Sequence, residues 1–241
     1  IWGSSTAYMN VNSALIEKFT KTPTYNFGIS GAAFDQLLHL QSFAENNKNK
    51  TLIWIVNPYE FEGYDYKIEE SQLFFHWQSQ PIIHSYFKKM NLTEGICLKY
   101  FGWYGISKLT SKHWNYIINP KVNVEKNVNG FIGKNTEFRT LNNFYPTNIC
   151  KPKEDRIKNF KKTAIDVAKN NKLIIILPPV INPINFTKFK NKITLPQYNV
   201  IDLNDNLSLK DSSYYQDNVH LTIEGANKFT KQIIQILEIN K

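Results

Sequence analysis

The apolar positions of the chain alternate between helical and extended periods, starting from a strand that is met only at its end. Ile1 and Trp2 are apolar, Gly3 allows a tight turn, and Ser4-Ser5 lead into Thr6-Ala7-Tyr8, which begins a helix. Ser13–Thr20 has an amphipathic spacing with Ala14, Leu15 and Phe19 on one side, and Lys21-Thr22-Pro23 stops it. Tyr25-Asn26-Phe27 reads as a short strand followed by Gly28-Ile29-Ser30-Gly31. Ala32–Glu45 carries Phe34, Leu37, Leu38 and Phe43 at helical spacing. Thr51–Val56 is a continuous apolar run ending at Asn57-Pro58. A strand apolar on both faces belongs inside a parallel sheet.

This opening βαβαβ pattern breaks over residues 60–150, where Phe74-Phe75-His76-Trp77, Tyr100-Phe101-Gly102-Trp103-Tyr104 and His113-Trp114 interrupt it. The stretch reads as a long aromatic-rich insertion in a single domain of residues 1–241. Long loops in compact domains serve as lids or binding elements. The other reading is a helical subdomain whose aromatics pack its own core. The α/β pattern then resumes. Lys153–Asn170 suits a helix on a sheet, Lys172–Leu177 is a buried strand stopped by Pro178-Pro179, and residues 180–196 are an excursion with some helix. Val200–Leu203 is the last short strand. The closing helix runs from Leu221 to about Leu237, with Ile223, Ala226, Phe229, Ile233, Ile234 and Leu237 on one side. Helices alternating with apolar strands predict an α/β fold with a doubly wound parallel sheet.

Composition narrows this picture. At 241 residues the chain is long enough to bury a large core. Its longest compact apolar stretch, Leu173–Leu177, is far short of the roughly 20 residues of a membrane span. The net charge is +9, but the lysines are scattered and the only arginines are Arg139 and Arg156. A clustered basic face would be needed for nucleic-acid binding, and none is expected. Cys97 and Cys150 form either a disulfide or two buried thiols, and neither they nor the five histidines have zinc-ligand spacing. No metal is expected. Cofactors are not expected either, since there is no Gly-x-Gly-x-x-Gly or Gly-x-x-x-x-Gly-Lys-Ser/Thr to cradle phosphates. A strand seen only at its last residues implies chain upstream, where a signal peptide or membrane anchor would lie.

The candidate chemistry falls at strand ends. A serine on a strand-to-helix turn, Ser5, sits where open α/β sheets bind ligands. Asp217-Asn218-Val219-His220 puts an acid three residues before a histidine on a loop entering the last helix. The carboxylate can orient the imidazole from behind and leave its other nitrogen free to take a serine proton. Asp217 as a turn former, and Thr222 and Glu224 as helix-start residues, are the structural alternatives. Gly28-Ile29-Ser30-Gly31-Ala32 is a near miss to Gly-x-Ser-x-Gly, failing at Ala32, so Ser5 is preferred to Ser30 as nucleophile.

Together Gly3-Ser4-Ser5, Asn26-Phe27-Gly28-Ile29-Ser30-Gly31, Asn57 and Asp217-x-x-His220 make the chain resemble the SGNH/GDSL hydrolase superfamily. The resemblance covers about residues 1–60 and 153–241. It implies a flavodoxin-like three-layer α/β/α sandwich with a parallel sheet of about five strands, and a triad of Ser5, His220 and Asp217. It also implies an oxyanion hole from Ser5, Gly31 and Asn57. Ser4 stands where many members have Asp, and Asn57 is flanked by Val56 and Pro58 rather than by the usual Gly-x-Asn-Asp. The Gly-Ser-Ser form is similar to envelope-polymer acylation proteins. The implied activity is therefore a serine esterase or O-acyltransferase acting on acyl, chiefly acetyl, esters of a small molecule, a carbohydrate or a cell-envelope polymer, in the cell envelope or another extracytoplasmic site. The alternative is a non-catalytic module of the same fold that binds a glycan or partner.

Overall fold

The computed structural model describes residues 1–29, 47–62, 151–181, 185–204 and 211–239, with single positions at 93, 96, 97, 100, 131 and 209. Ile1–Gly63 with Lys126–Lys241 form one compact unit and Tyr64–Glu125 a second. Every labelled element belongs to the first. In chain order these are α1 (Ser5–Asn10), α2 (Ser13–Thr20), β1 (Thr51–Ile55), α3 (Glu154–Ala168), β2 (Lys172–Leu177), α4 (Phe186–Ile193), β3 (Asn199–Asp202) and α5 (Ile223–Ile239). Single-turn 3-10 helices occupy Pro58–Phe61 and Ser212–Tyr214. The sequence-predicted helix over Ala32–Glu45 and nearly all of the 60–150 insertion lie outside the described residues. Cys97 is a free thiol, and Cys150 is outside them too.

The three strands pair in parallel in the order β1-β2-β3. Ile53 lies beside Ile174 and Trp54 beside Ile175, so residues in register share a face. On one face Trp54, Leu173, Ile175 and Leu177 pack with Phe160 and Val167 of α3 and Phe189 of α4. On the other, Ile53, Ile55, Ile174 and Ile176 pack with Ala7, Ile16, Phe229 and Ile233 from α1, α2 and α5. A strand needs apolar residues at every position when both faces are covered, which accounts for the unbroken runs in β1 and β2. The fold is α/β, with helices on both faces of a parallel sheet.

The opening residues join this sheet edge through the main chain. The Trp2 N–H donates to Ile53 O and the Ile55 N–H to Trp2 O, both at 2.8 Å. The Trp2 and Trp54 rings stack with centroids 4.3 Å apart. On the far side Ile1 N donates to Tyr25 O at 2.7 Å, Phe27 N–H to Ile1 O at 2.8 Å and Ile29 N–H to Gly3 O at 3.0 Å. Residues 1–3 thus run between β1 and 25–29.

One expected face is corrected. Leu15 packs against the core, but Phe19 is 52% exposed and Ile16 is the buried apolar residue of α2. The rotation of α2 is set at its start. Asn12 caps it by accepting the Leu15 N–H at 3.1 Å, and ties it to α5 through Thr230 Oγ1 and Asn227 Oδ1, each at 2.9 Å. Apolar spacing alone does not register that clamp.

Candidate active site

In a parallel sheet every strand's C-terminal end lies on one side, so Ser4-Ser5, Asn57 and Pro178–Ile181 share an edge. Gly3 makes the first turn possible. Its φ is +151°, and an added Cβ would sit 2.5 Å from Ile55 O and 2.8 Å from Ala7 Cβ. Both the conformation and the close approach call for glycine. Ser4 then caps α1, its carbonyl accepting from the Ala7 and Tyr8 N–H groups at 3.1 Å. Ser5 is the first residue of α1, where a backbone N–H has no intrahelical acceptor. The back of α1 is held by Asn26, whose Nδ2 donates to Ala7 O at 2.7 Å and Val11 O at 2.9 Å. Asn26 Oδ1 accepts the Gly28 N–H at 2.9 Å. A Cβ on Gly28 would come within 2.4 Å of the Tyr8 nitrogen, so that backbone approach also requires glycine.

The second half of the site is the loop before α5. Asp217 Oδ1 accepts the Val219 and His220 N–H groups, both at 2.9 Å, which closes the turn. Asp217 Oδ2 lies 2.7 Å from His220 Nδ1. His220 Nε2 lies 2.8 Å from Ser5 Oγ. The turn-forming and ring-orienting readings of Asp217 are both satisfied, one by each carboxylate oxygen. Burial alone would raise the Asp217 carboxyl. The His220 ring and the two N–H groups outweigh burial and hold it below the usual carboxylate range. Thr222 accepts the Gly225 N–H at 3.2 Å and so starts α5.

Asn10 fastens one half to the other. It is fully buried in α1, its Nδ2 donating to Val219 O at 2.8 Å and its Oδ1 accepting the Leu221 N–H at 2.9 Å. The two backbone groups flanking His220 are therefore bound by the helix that Ser5 begins. Gln216 N–H donates to His220 O at 2.8 Å, and the Ile181 N–H donates to Asn218 O at 2.9 Å. Val219 is buried with Val180 and Phe186, and Tyr59 packs against them.

Asn57 follows β1 and caps the Pro58–Phe61 turn, its Oδ1 accepting the Tyr59 N–H at 3.1 Å. Its Nδ2 has no hydrogen-bond partner among the described residues. Three residues on, the buried Glu60 accepts a hydrogen bond from Ser4 Oγ through Oε1, while Oε2 has no partner among the described residues. Burial pushes the Glu60 carboxyl up to about 8, against the pull of Ser4 Oγ and of the Asn57 and Ser4 backbone N–H groups. The nearby Arg156 guanidinium binds the main-chain carbonyls of Glu60 and Glu62 instead.

The structure brings together Ser5, His220 and Asp217, and places Asn57 on the same sheet edge. Gly31 and the rival Ser30 lie outside the described residues. Sequence reasoning missed Asn10 and Glu60. A polar residue inside a short helix flags Asn10, and the Asn-x-x-Glu spacing of a capping box flags Glu60. A groove of about 600 Å³ opens elsewhere, where β1 and β2 begin, lined by Thr20, Tyr25, Asn49, Thr51, Lys172 and Leu237, and no triad residue lines it. Among the described residues no helix is long and apolar enough to cross a membrane. Comparison with protein-family models finds no match to this chain, and a search of curated proteins finds none either.

Proposed function

We propose that the protein is a serine-dependent esterase or O-acyltransferase of the SGNH/GDSL type, acting on short acyl esters of a carbohydrate or cell-envelope polymer. The observation that carries this reading is the relay from Ser5 Oγ to His220 Nε2 at 2.8 Å and from His220 Nδ1 to Asp217 Oδ2 at 2.7 Å. A chance cluster needs only proximity. This one has the nucleophile, base and orienting acid in hydrogen-bonded sequence, with the acid's other oxygen fixing the loop.

The chemistry follows from the parts. Ser5 Oγ attacks the acyl carbonyl as His220 Nε2 takes its proton, and ionised Asp217 stabilises the imidazolium. The developing oxyanion would face the Ser5 and Gly31 N–H groups and Asn57 Nδ2. One such donor is typically worth about 10²–10³ in rate. Collapse expels the alcohol, which receives the proton from His220 and leaves an acyl-Ser5 ester. Water, or a sugar hydroxyl, then gives a proton to His220 and attacks that ester, returning Ser5 with its proton and releasing the acid or the acylated acceptor.

The main-chain bonds of residues 1–3 support a wider sheet. Counting 1–3 and 25–29 as strands gives the spatial order 25–29, 1–3, β1, β2, β3. By sequence number that is 2-1-3-4-5, the flavodoxin-like order, whose ligand crevice lies at the C-terminal strand ends. The polymer substrate and extracytoplasmic setting rest on the resemblance of the opening motif. The test is turnover of p-nitrophenyl acetate, followed as acetate release in water and as acetyl transfer to an added glycan. Turnover by wild type that Ser5→Ala loses supports the reading. Equal turnover by both would overturn it.

A further inference from the structure

We infer that Glu60 is a positioning residue that ties the Ser5 turn to the Asn57 turn, holding two of the oxyanion donors at a fixed separation. The inference rests on the function proposed above. Its geometry is that of one carboxyl between two strand ends. Glu60 is on the single 3-10 turn that Asn57 caps, and its own N–H donates to Asn57 O at 3.0 Å. Its carboxyl is 56 residues from Ser4 in sequence, yet Ser4 Oγ donates to it inside the protein.

A capping box would need only the link back to Asn57. The added link to Ser4 reaches the residue whose carbonyl starts α1 and whose next N–H belongs to Ser5. Ser4 Oγ is also 3.4 Å from Thr6 Oγ1, so the hydroxyls either side of the nucleophile meet each other and the first of them meets the buried carboxyl. Turn positions fixed only by backbone contacts can shift by fractions of an ångström. A misplacement of about 1 Å can cost on the order of 10²-fold in rate.

A buried carboxylate with one bare oxygen is unfavourable, because an ion needs full hydrogen bonding out of water. The bare Oε2 suits a neutral acid that carries its proton there, while Oε1 accepts from Ser4. At neutral pH the group therefore links the turns without placing a negative charge beside a site where an oxyanion develops. An ionised carboxylate there would repel the transition state.

The experiment compares Glu60→Gln, Glu60→Leu and Ser4→Ala with wild type. It reads kcat and KM for p-nitrophenyl acetate and the rate at which a fluorophosphonate probe labels Ser5. Glu60→Gln keeps a carbonyl to accept from Ser4 and carries no charge, so its kcat stays within about threefold of wild type. Glu60→Leu and Ser4→Ala each cut the link, and each lowers kcat by about 10²-fold with KM changed less than about threefold. If Glu60→Leu does not fold, Ser4→Ala carries the comparison. Wild-type kcat in Ser4→Ala, a loss confined to KM, or a Glu60→Gln defect as deep as that of Ser4→Ala would overturn the inference alone. A wild-type protein that the probe does not label would overturn the proposed function, and the inference with it.

Discussion

At Asp217 the two carboxylate oxygens have separate partners, and removing charge from one removes the relay without removing the turn. Asp217→Asn keeps an oxygen for the Val219 and His220 N–H groups but no longer balances an imidazolium. It should lower kcat by about 10³-fold or more while the fold persists, as activity and circular dichroism measured together would show. Asn10→Ala acts on stability as well. It strands the Val219 carbonyl and the Leu221 N–H in the interior, at a cost of about 2–4 kcal/mol in urea unfolding. It should also lower kcat, because His220 sits between those two groups. At this scale the pairing of Asp217 with His220 was legible in the sequence, since an acid three residues before a histidine on a loop has few spatial solutions. The sequence left Asn10 and Glu60 unread because their partners are main-chain atoms and a hydroxyl more than 50 residues away.

α1 is only six residues long and cannot hold itself; isolated helices of that length are unstable in water. It stands because Gly3 lets the chain turn sharply, Asn26 binds its last carbonyls and Asn10 pins it to the loop before α5. Gly3→Ala forces a Cβ against Ile55 O in a conformation that disfavours it, so destabilisation on the order of 2–3 kcal/mol is expected by thermal or urea unfolding. β1, β2, α3 and α5 were legible from the sequence, because unbroken apolar runs and 3.6-residue periods report burial directly. β2 is found at Lys172–Leu177, as its run of apolar residues requires, and α5 buries Ala226, Phe229, Ile233 and Ile234. α2 was misfaced at Phe19, because its rotation is set by polar clamps at Asn12 rather than by its own apolar residues.

For the whole molecule the buried Glu60 makes stability depend on pH. Folded, the carboxyl titrates near 8; unfolded, near 4.5. Between those values the unfolded chain sheds a proton that the folded protein keeps, so stability falls as pH rises through this window and levels off above it. Glu60→Gln should remove that part of the slope in urea midpoints taken at pH 5, 7 and 9, and an unchanged slope would contradict the assignment. Asp217 acts in the other direction. Its lowered carboxyl adds stability that is present above about 3.8 and is lost as the solution is acidified through its folded value. The central claim, however, is that Ser5 is a nucleophile activated across 215 residues of chain by His220. Its most direct measurement is mass spectrometry of the intact protein and its peptides after exposure to a fluorophosphonate. The account predicts one covalent adduct, on Ser5, absent from Ser5→Ala and strongly slowed in His220→Ala. An unmodified Ser5, or an adduct on Ser30 that persists in Ser5→Ala, would contradict it.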